Sequence, residues 1–185
     1  PYLTCFFVLP KTVNLTHMKR IYSVLVIILF GLNANSQSLT HEGVDFWLAY
    51  PEVYDATAAT FEVNISSRYP TSAEVFVAGA SIGVYPVTPG VVTTVPISSI
   101  DAHNAVEEVP VPRAIQVVAD DPVSVYASTQ YNYRSEATVC LPTSSLGSDY
   151  MITTYPNNFK SSVVWESEFV VVCGPDPIEV EIIPN

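Results

Sequence analysis

Apolar and polar residues alternate along several stretches of this chain, and this period of two constrains the fold more than any other feature. The alternation is clear in residues 60–65, 73–77 and 178–182. Successive side chains of a strand point to opposite faces, so each stretch has one buried and one solvent-facing side. Three further strands are expected at residues 91–97, 114–119 and 122–129.

Proline-rich turns separate these strands and leave little room for helix. The chain has 15 prolines, and turns are predicted at Pro70, at Pro89 and at residues 119–122 (Ala-Asp-Asp-Pro). Only single helical turns are expected, near residues 100–104 and 143–146. Short strands at close spacing predict an all-β fold, an antiparallel β-sandwich module. A propeller-like repeat is the alternative, although the repeat is about twice as long as a common propeller blade.

The chain also repeats itself. Residues 43–51 (Gly-Val-Asp-Phe-Trp-Leu-Ala-Tyr-Pro) return as residues 147–156 (Gly-Ser-Asp-Tyr-Met-Ile-Thr-Thr-Tyr-Pro), residues 60–65 return as 168–173, and residues 73–77 return as 178–182. We therefore assign one β-sandwich module to residues 37–146 and the truncated start of a second β module to residues 147–185. We expect the final strands to be poorly specified, because a partial sheet leaves edges unpaired.

The two copies differ on one face. Val170 and Val172 of the second copy replace Glu62 and Asn64 of the first, so residues 168–173 are apolar on both sides. A strand that is covered on both sides explains such a sequence. We expect this strand to lie near the junction between consecutive modules. The alternative is that its second face is covered by sequence that is missing from this fragment.

The N-terminal residues predict export. Met18, Lys19 and Arg20 precede an apolar run at residues 21–32 and small residues at 34–36, which is typical of a signal peptide over residues 18–36, cleaved before Gln37. Residues 1–17 are interpreted as upstream translation that is not native. The apolar run is too short to favour a membrane span. The expected location is therefore secreted or at the cell surface, with a signal of bacterial style and no membrane insertion after cleavage.

The charge of the chain excludes one class of partner. The formal net charge is −11, with 18 acidic residues, all of which lie beyond residue 36. Such a surface repels phosphate backbones, so we expect no nucleic-acid binding. It also disfavours binding to anionic membranes.

Five stretches occur in an order that is typical of one family: residues 43–47, 87–95, 119–126, 141–150 and 167–172. On this ordered set the chain resembles the N-terminal domain of IgGFc-binding protein in its bacterial relatives. The resemblance implies a non-enzymatic adhesion or ligand-binding module of a large secreted or surface repeat protein. Its partners would be an extracellular protein or glycan and the neighbouring modules of the same chain. The resemblance carries over no catalytic residue, no cofactor and no Fc-binding residue.

One short stretch combines residue types that binding surfaces use. Tyr131, Tyr133 and Arg134 follow Tyr126, and they offer stacking faces and hydrogen bonds to a ligand. These four residues are the candidate ligand contacts. The alternative is that the tyrosines cover the edge of the sandwich core.

The remaining candidate sites are weaker. Cys140 and Cys173 could form a disulfide in an exported chain, although Cys173 also continues an apolar alternation as a buried side chain would. Residues 79–83 match the G-x-S-x-G pattern of a hydrolase, followed by Asp101 and His103, but the prolines after it preclude the helix that this chemistry requires. Asp120, Asp121 and Asp176 favour turns over calcium binding.

We therefore expect no enzyme activity, no metal and no cofactor. Two other functions stay open beside adhesion. One is a structural stalk or scaffold repeat, and the other is an accessory domain of a secreted hydrolase.

Overall fold

The computed structural model describes residues 40–53, 55–104, 109–132, 134–153, 168–174 and 178–183. The chain divides into two units, Pro1–Ser38 and Leu39–Asn185, and every described residue belongs to the second. Seven strands form one antiparallel sheet: β1 (Glu42–Leu48), β2 (Thr60–Ser67), β3 (Thr71–Val77), β4 (Ala80–Val87), β5 (Thr93–Ile97), β6 (Ile115–Tyr131) and β7 (Arg134–Cys140). The predicted all-β class is confirmed. A short helix α1 (Ser99–Ala102) and a 3-10 turn (Thr143–Ser145) lie close to the two predicted helical turns.

The long strand β6 organises the sheet, because it pairs with four other strands. Its first half lies between β3 and β1, and its second half lies between β2 and β7. The strand β4 extends the first half through β3, and β5 extends the second half through β2. Each half is therefore a four-stranded antiparallel sheet, with the order β4-β3-β6-β1 in the first half-sheet and β5-β2-β6-β7 in the second.

The two half-sheets meet at a corner in β6. The pairing of β1 with β6 shifts between Gly43 and Asp45, whose partners are Val123 and Val118, so the residues between those partners bulge out of the ladder. Thr71 accepts a hydrogen bond from the backbone N–H of Asp121 (3.1 Å), and the hydroxyl of Ser72 donates to Asp120. Strands that pass between packed sheets commonly bend at such bulges.

The corner corrects one prediction from the sequence. The sequence predicted a turn at residues 119–122 between two separate strands, but β6 continues through Asp120, Asp121 and Pro122 as one strand of 17 residues. A proline has no N–H for the ladder and is accepted in a sheet at a bulge. The proline was therefore a sign of a bend in the strand, and not of its end.

One face of each half-sheet forms the core. Phe61, Val63 and Ile65 of β2 are at most 1% exposed, and Val75 and Val117 of the first half-sheet are fully buried. All of these side chains belong to one hydrophobic cluster, so the buried faces of the two half-sheets pack on each other in the manner of a sandwich. Full burial of each such side chain stabilises the fold by about 1.5–3 kcal/mol.

A close approach between β1 and the turn after β7 locks this core at one end. The β1 residue Phe46 pairs with the buried Pro142 in an isolated bridge. A Cβ atom at Gly43 would overlap the ring of Pro142. This contact explains why the first copy of the repeat begins with glycine.

The second copy differs from the first. Residues 168–174 and 178–183 contain no strand, although their alternation predicted two. In the first copy the equivalent strands, β2 and β3, both pair with β6.

Candidate functional site

The four predicted contact residues do not share one face of the sheet. Tyr126 and Tyr131 are separated by an odd number of positions in a part of β6 whose pairing with β7 is regular, so their side chains point to opposite faces. Tyr126 is 37% exposed on the outer face. Tyr131 pairs with Arg134 across the ladder on the other face. Tyr133 lies outside the described residues.

The hairpin between β6 and β7 explains this division. Tyr131 ends β6 and Arg134 begins β7, so the loop has two residues, and Asn132 adopts a positive φ of 23°. Asparagine tolerates such a φ better than most residues, and two-residue hairpin loops require it. The sequence stretch that looked like a single binding surface is therefore the tip of a hairpin, and Tyr126 lies away from it.

Tyr126 lies in the middle of the outer face of the second half-sheet. Its neighbour on β2 is Asn64, and its neighbour on β7 is Val139, which is 44% exposed. Directly opposite residues in an antiparallel pair have Cβ atoms about 5 Å apart, so the three side chains form one row across three strands.

Polar side chains next to Tyr126 form a connected network. The hydroxyl of Thr94 donates to Oδ1 of Asn64 (2.8 Å), and Nδ2 of Asn64 donates to Oγ of Ser128 (2.9 Å). The Ser128 hydroxyl in turn donates to Oε2 of Glu62 (3.5 Å). We call Glu62, Asn64, Thr94, Tyr126 and Ser128 the Tyr126 face.

The network fixes the orientation of the amide while leaving it hydrogen-bonding capacity. An amide group has two N–H donors and an oxygen with two lone pairs, and each end of Asn64 uses only one of these in the network. The carboxylate of Glu62 is half-buried and also accepts more than one hydrogen bond. An oriented amide and a carboxylate beside a tyrosine ring can hold a ligand that has hydroxyl groups and an apolar side.

Sequence reasoning found Tyr126 but missed its companions. The alternation correctly predicted that Glu62 and Asn64 lie on the solvent-facing side of β2. It does not show which strands pair with β2 in the sheet. The cross-strand register places Asn64 opposite both Thr94 and Tyr126. Only the pairing of β2 with β5 and with the second half of β6 brings this set together.

The hydrolase-like pattern does not assemble a triad. Ser81 lies in β4, where a hydrolase needs a helix after the serine, and its hydroxyl donates to Oε1 of Glu74 (2.6 Å). His103 accepts a hydrogen bond at Nε2 from the backbone N–H of Val53 (3.2 Å). Asp101 is exposed in α1. Each of these three groups therefore lies in a separate local environment.

His103 belongs to a structural cluster that fastens the residues after β1. Nδ2 of Asn104 donates to the backbone oxygen of Tyr50 (2.8 Å), and Arg113 donates to the backbone oxygen of His103. The Tyr50 hydroxyl donates to the backbone oxygen of Glu62 (2.7 Å), and its ring packs edge-on against Phe61 at 5.1 Å. Burial raises the pKa of the Tyr50 hydroxyl well above its ordinary value, which keeps it a donor.

Cys140 and Cys173 lie in different environments. Cys140 is buried at the end of β7, Cys173 is exposed, and both are free thiols, so the disulfide that the sequence allowed is not formed in the structure. The exposure of Cys173 also differs from the expected buried side chain. Burial raises the pKa of the Cys140 thiol to about 11, so this sulfur stays protonated and unreactive near neutral pH.

Neither a metal-binding cluster nor a membrane-spanning helix occurs among the described residues. No group of three or more His, Cys, Asp or Glu side chains among the described residues is arranged to hold a metal ion. No helix in the described ranges has the length and apolar character to cross a membrane. Asp176 lies outside these ranges.

Comparisons with protein-family models, with curated proteins and with solved structures find no match to this chain. The resemblance to the IgGFc-binding family therefore stays a prediction.

Proposed function

We propose that this chain is a non-enzymatic extracellular module that binds a glycan through the Tyr126 face. The observation that carries the proposal is the row formed by Tyr126 and the hydrogen-bonded Asn64, which joins an exposed aromatic ring to an oriented amide. The proposal also includes export by the signal at residues 18–36, a location in a secreted or surface repeat protein, and the resemblance to IgGFc-binding domains.

The chemistry of the Tyr126 face favours a carbohydrate over a charged polymer. Sugar rings have an apolar side that stacks on aromatic rings, and hydroxyl groups that bond to amides and carboxylates. The side chains of Glu62, Asn64 and Ser128 are already held in place by the network, so little conformational entropy is lost when a ligand binds. The net charge of −11 argues against polyanionic ligands.

The position of the face suits an extended ligand. The Tyr126 face lies on the outer side of three adjacent strands, β5, β2 and β6. Such a surface accepts a chain of sugars side-on. Several modules in one protein would multiply a weak affinity through effective concentration.

A solid-phase glycan screen with the purified protein tests the proposal. We expect the wild-type chain to be retained on at least one glycan. Tyr126→Ala and Asn64→Ala should each weaken the affinity for that glycan about tenfold or more, which corresponds to a loss of about 1.4 kcal/mol of binding free energy. Tyr69→Ala is the matched control, because Tyr69 is 66% exposed in the turn between β2 and β3. Full retention of Tyr126→Ala would place the binding site elsewhere, and the hairpin residues Tyr131, Tyr133 and Arg134 would then be tested.

The screen also separates the alternatives. If no glycan and no extracellular glycoprotein retains the wild-type chain, binding is excluded for the tested classes. The stalk or scaffold function would then be favoured.

A further inference from the structure

The outer face of the first half-sheet carries an apolar patch. Trp47 of β1 is opposite Gln116 of β6, which is opposite Phe76 of β3, and Val118 and Val84 lie in the neighbouring row. Val118 is 38% exposed and Val84 is 62% exposed, whereas Trp47 and Phe76 are half-buried. We call Trp47, Phe76, Val84 and Val118 the Trp47 face.

The polar groups on this side of the sheet bond to one another. Nε2 of Gln116 donates to Oδ1 of Asp45 (2.7 Å), and Ser81 donates to Glu74 (2.6 Å). These pairs satisfy part of the hydrogen-bonding capacity of the face. When an apolar partner packs against Trp47 and Phe76, the members of each polar pair keep the hydrogen bond that they make to each other. Their burial therefore leaves neither pair without a hydrogen-bond partner.

A segment of the second copy already lies against this face. A Cβ atom at Gly174 would lie 3.8 Å from Cε2 and 3.9 Å from Cζ2 of the Trp47 indole, so Gly174 lies beside the ring. Val172, two positions before it, is half-buried. Val170 is 40% exposed, and the alternate residues Phe169 and Val171 are 48% and 49% exposed.

The internal repeat gives these two sets of side chains different roles. Phe169, Val171 and Cys173 correspond to the core residues Phe61, Val63 and Ile65 of the first copy. Val170 and Val172 correspond to Glu62 and Asn64, which lie on the outer face of β2. The second copy therefore has apolar side chains where the first copy has polar side chains that face solvent.

We propose that the second copy of the repeat docks onto the Trp47 face of the first through Val170 and Val172. The substitution of Glu62 and Asn64 by valines then has a cause: in the second copy this face meets the neighbouring module and not solvent. The same substitutions remove the polar network from the second copy, so the copies have different functions. The first copy keeps the Tyr126 face, and the second uses the equivalent segment as a connector.

Tryptophan fluorescence of the full chain tests the docking. The chain has two tryptophans, so a Trp165→Phe background leaves Trp47 as the only indole emitter. Val172→Asp and Val171→Asp form a matched pair, because they place the same charge at adjacent positions, of which Val172 is half-buried and Val171 is 49% exposed. We expect Val172→Asp to shift the Trp47 emission to longer wavelength and to increase its quenching by acrylamide. We expect Val171→Asp to leave both measurements close to those of the background.

Equal effects of the two variants, no effect of Val172→Asp, or a larger effect of Val171→Asp would overturn the proposal. Far-UV circular dichroism shows whether the first copy stays folded in each variant. Should Val172→Asp lose the β signal, Val172→Thr replaces it, because threonine keeps the shape of valine. The proposal then requires a smaller shift of Trp47 emission in the same direction, and its absence contradicts the docking.

Discussion

Substitution of Gly43 by alanine tests the packing of β1 against the turn after β7. The added Cβ would overlap the ring of the buried Pro142, which is rigid and itself pairs with Phe46. Because neither a proline ring nor the β1 backbone can move freely, we expect a cost of about 1–3 kcal/mol from overpacking. Gly147 begins the second copy and has open space around it, so Gly147→Ala is a matched control at the equivalent repeat position.

The two substitutions should have opposite signs. Alanine reduces the conformational freedom of the unfolded chain, which stabilises a protein by about 0.4–1 kcal/mol where the native backbone accepts it. Gly43 has no positive φ, so the predicted cost arises from the contact with Pro142 and not from the backbone conformation. Urea unfolding followed by circular dichroism gives both free energies of unfolding. Equal stability of Gly43→Ala and Gly147→Ala would refute the close approach of β1 to Pro142.

Three further predictions concern the core and its polar fastenings. Phe61→Ala should lower the free energy of unfolding by about 3–5 kcal/mol, because Phe61 is 1% exposed. Phe61→Leu should lower it clearly less. Equal losses of unfolding free energy for the two variants in urea titrations would contradict the packing. Tyr50→Phe removes the 2.7 Å hydrogen bond to the Glu62 backbone oxygen and should cost about 1–2 kcal/mol in the same assay, whereas an unchanged midpoint would show that this bond contributes nothing. Burial raises the pKa of the Cys140 thiol from 9.0 to about 11. As the pH rises, the thiol therefore ionises in the unfolded chain before it ionises in the folded chain. The stability that Cys140 contributes is complete below pH 9 and falls as the pH rises from 9 to 11. Unfolding free energies of wild type and Cys140→Ala should therefore converge over this range, and parallel curves would show that the thiol is not buried.

Local alternation predicted the strands whose two faces differ most. β2 and β3 alternate strictly between buried and solvent-facing residues, and their positions were predicted from this pattern. β7 was not predicted from alternation, because six of its seven residues are exposed and only Cys140 is buried. An edge strand whose outer side meets solvent has no apolar row to reveal it. No strand was predicted over β4, but the turn ends at Gly79 and the strand begins at Ala80.

The candidate site was harder to predict because its members come from separate strands. The pattern around residues 126–134 drew attention to four residues that are close in sequence, but strand parity places Tyr126 and Tyr131 on opposite faces. The partners of Tyr126 lie far away along the chain, in β2 and β5. Period-two patterns define faces, whereas the order of strands depends on the corner in β6, where Asp120, Asp121 and Pro122 bulge out of the ladder.

The most direct test of the account is an NMR titration of the chain with a glycan that retains it. Each amide reports on its own strand and position, so the titration locates the ligand on the sheet without any mutation. If the ligand binds the Tyr126 face, the largest shift changes fall on the backbone and side-chain amides of Asn64 and on the backbone amides of Tyr126 and Val139, the row that crosses β2, β6 and β7. Changes concentrated at Tyr131, Asn132 and Arg134, with Asn64 unaffected, would contradict it.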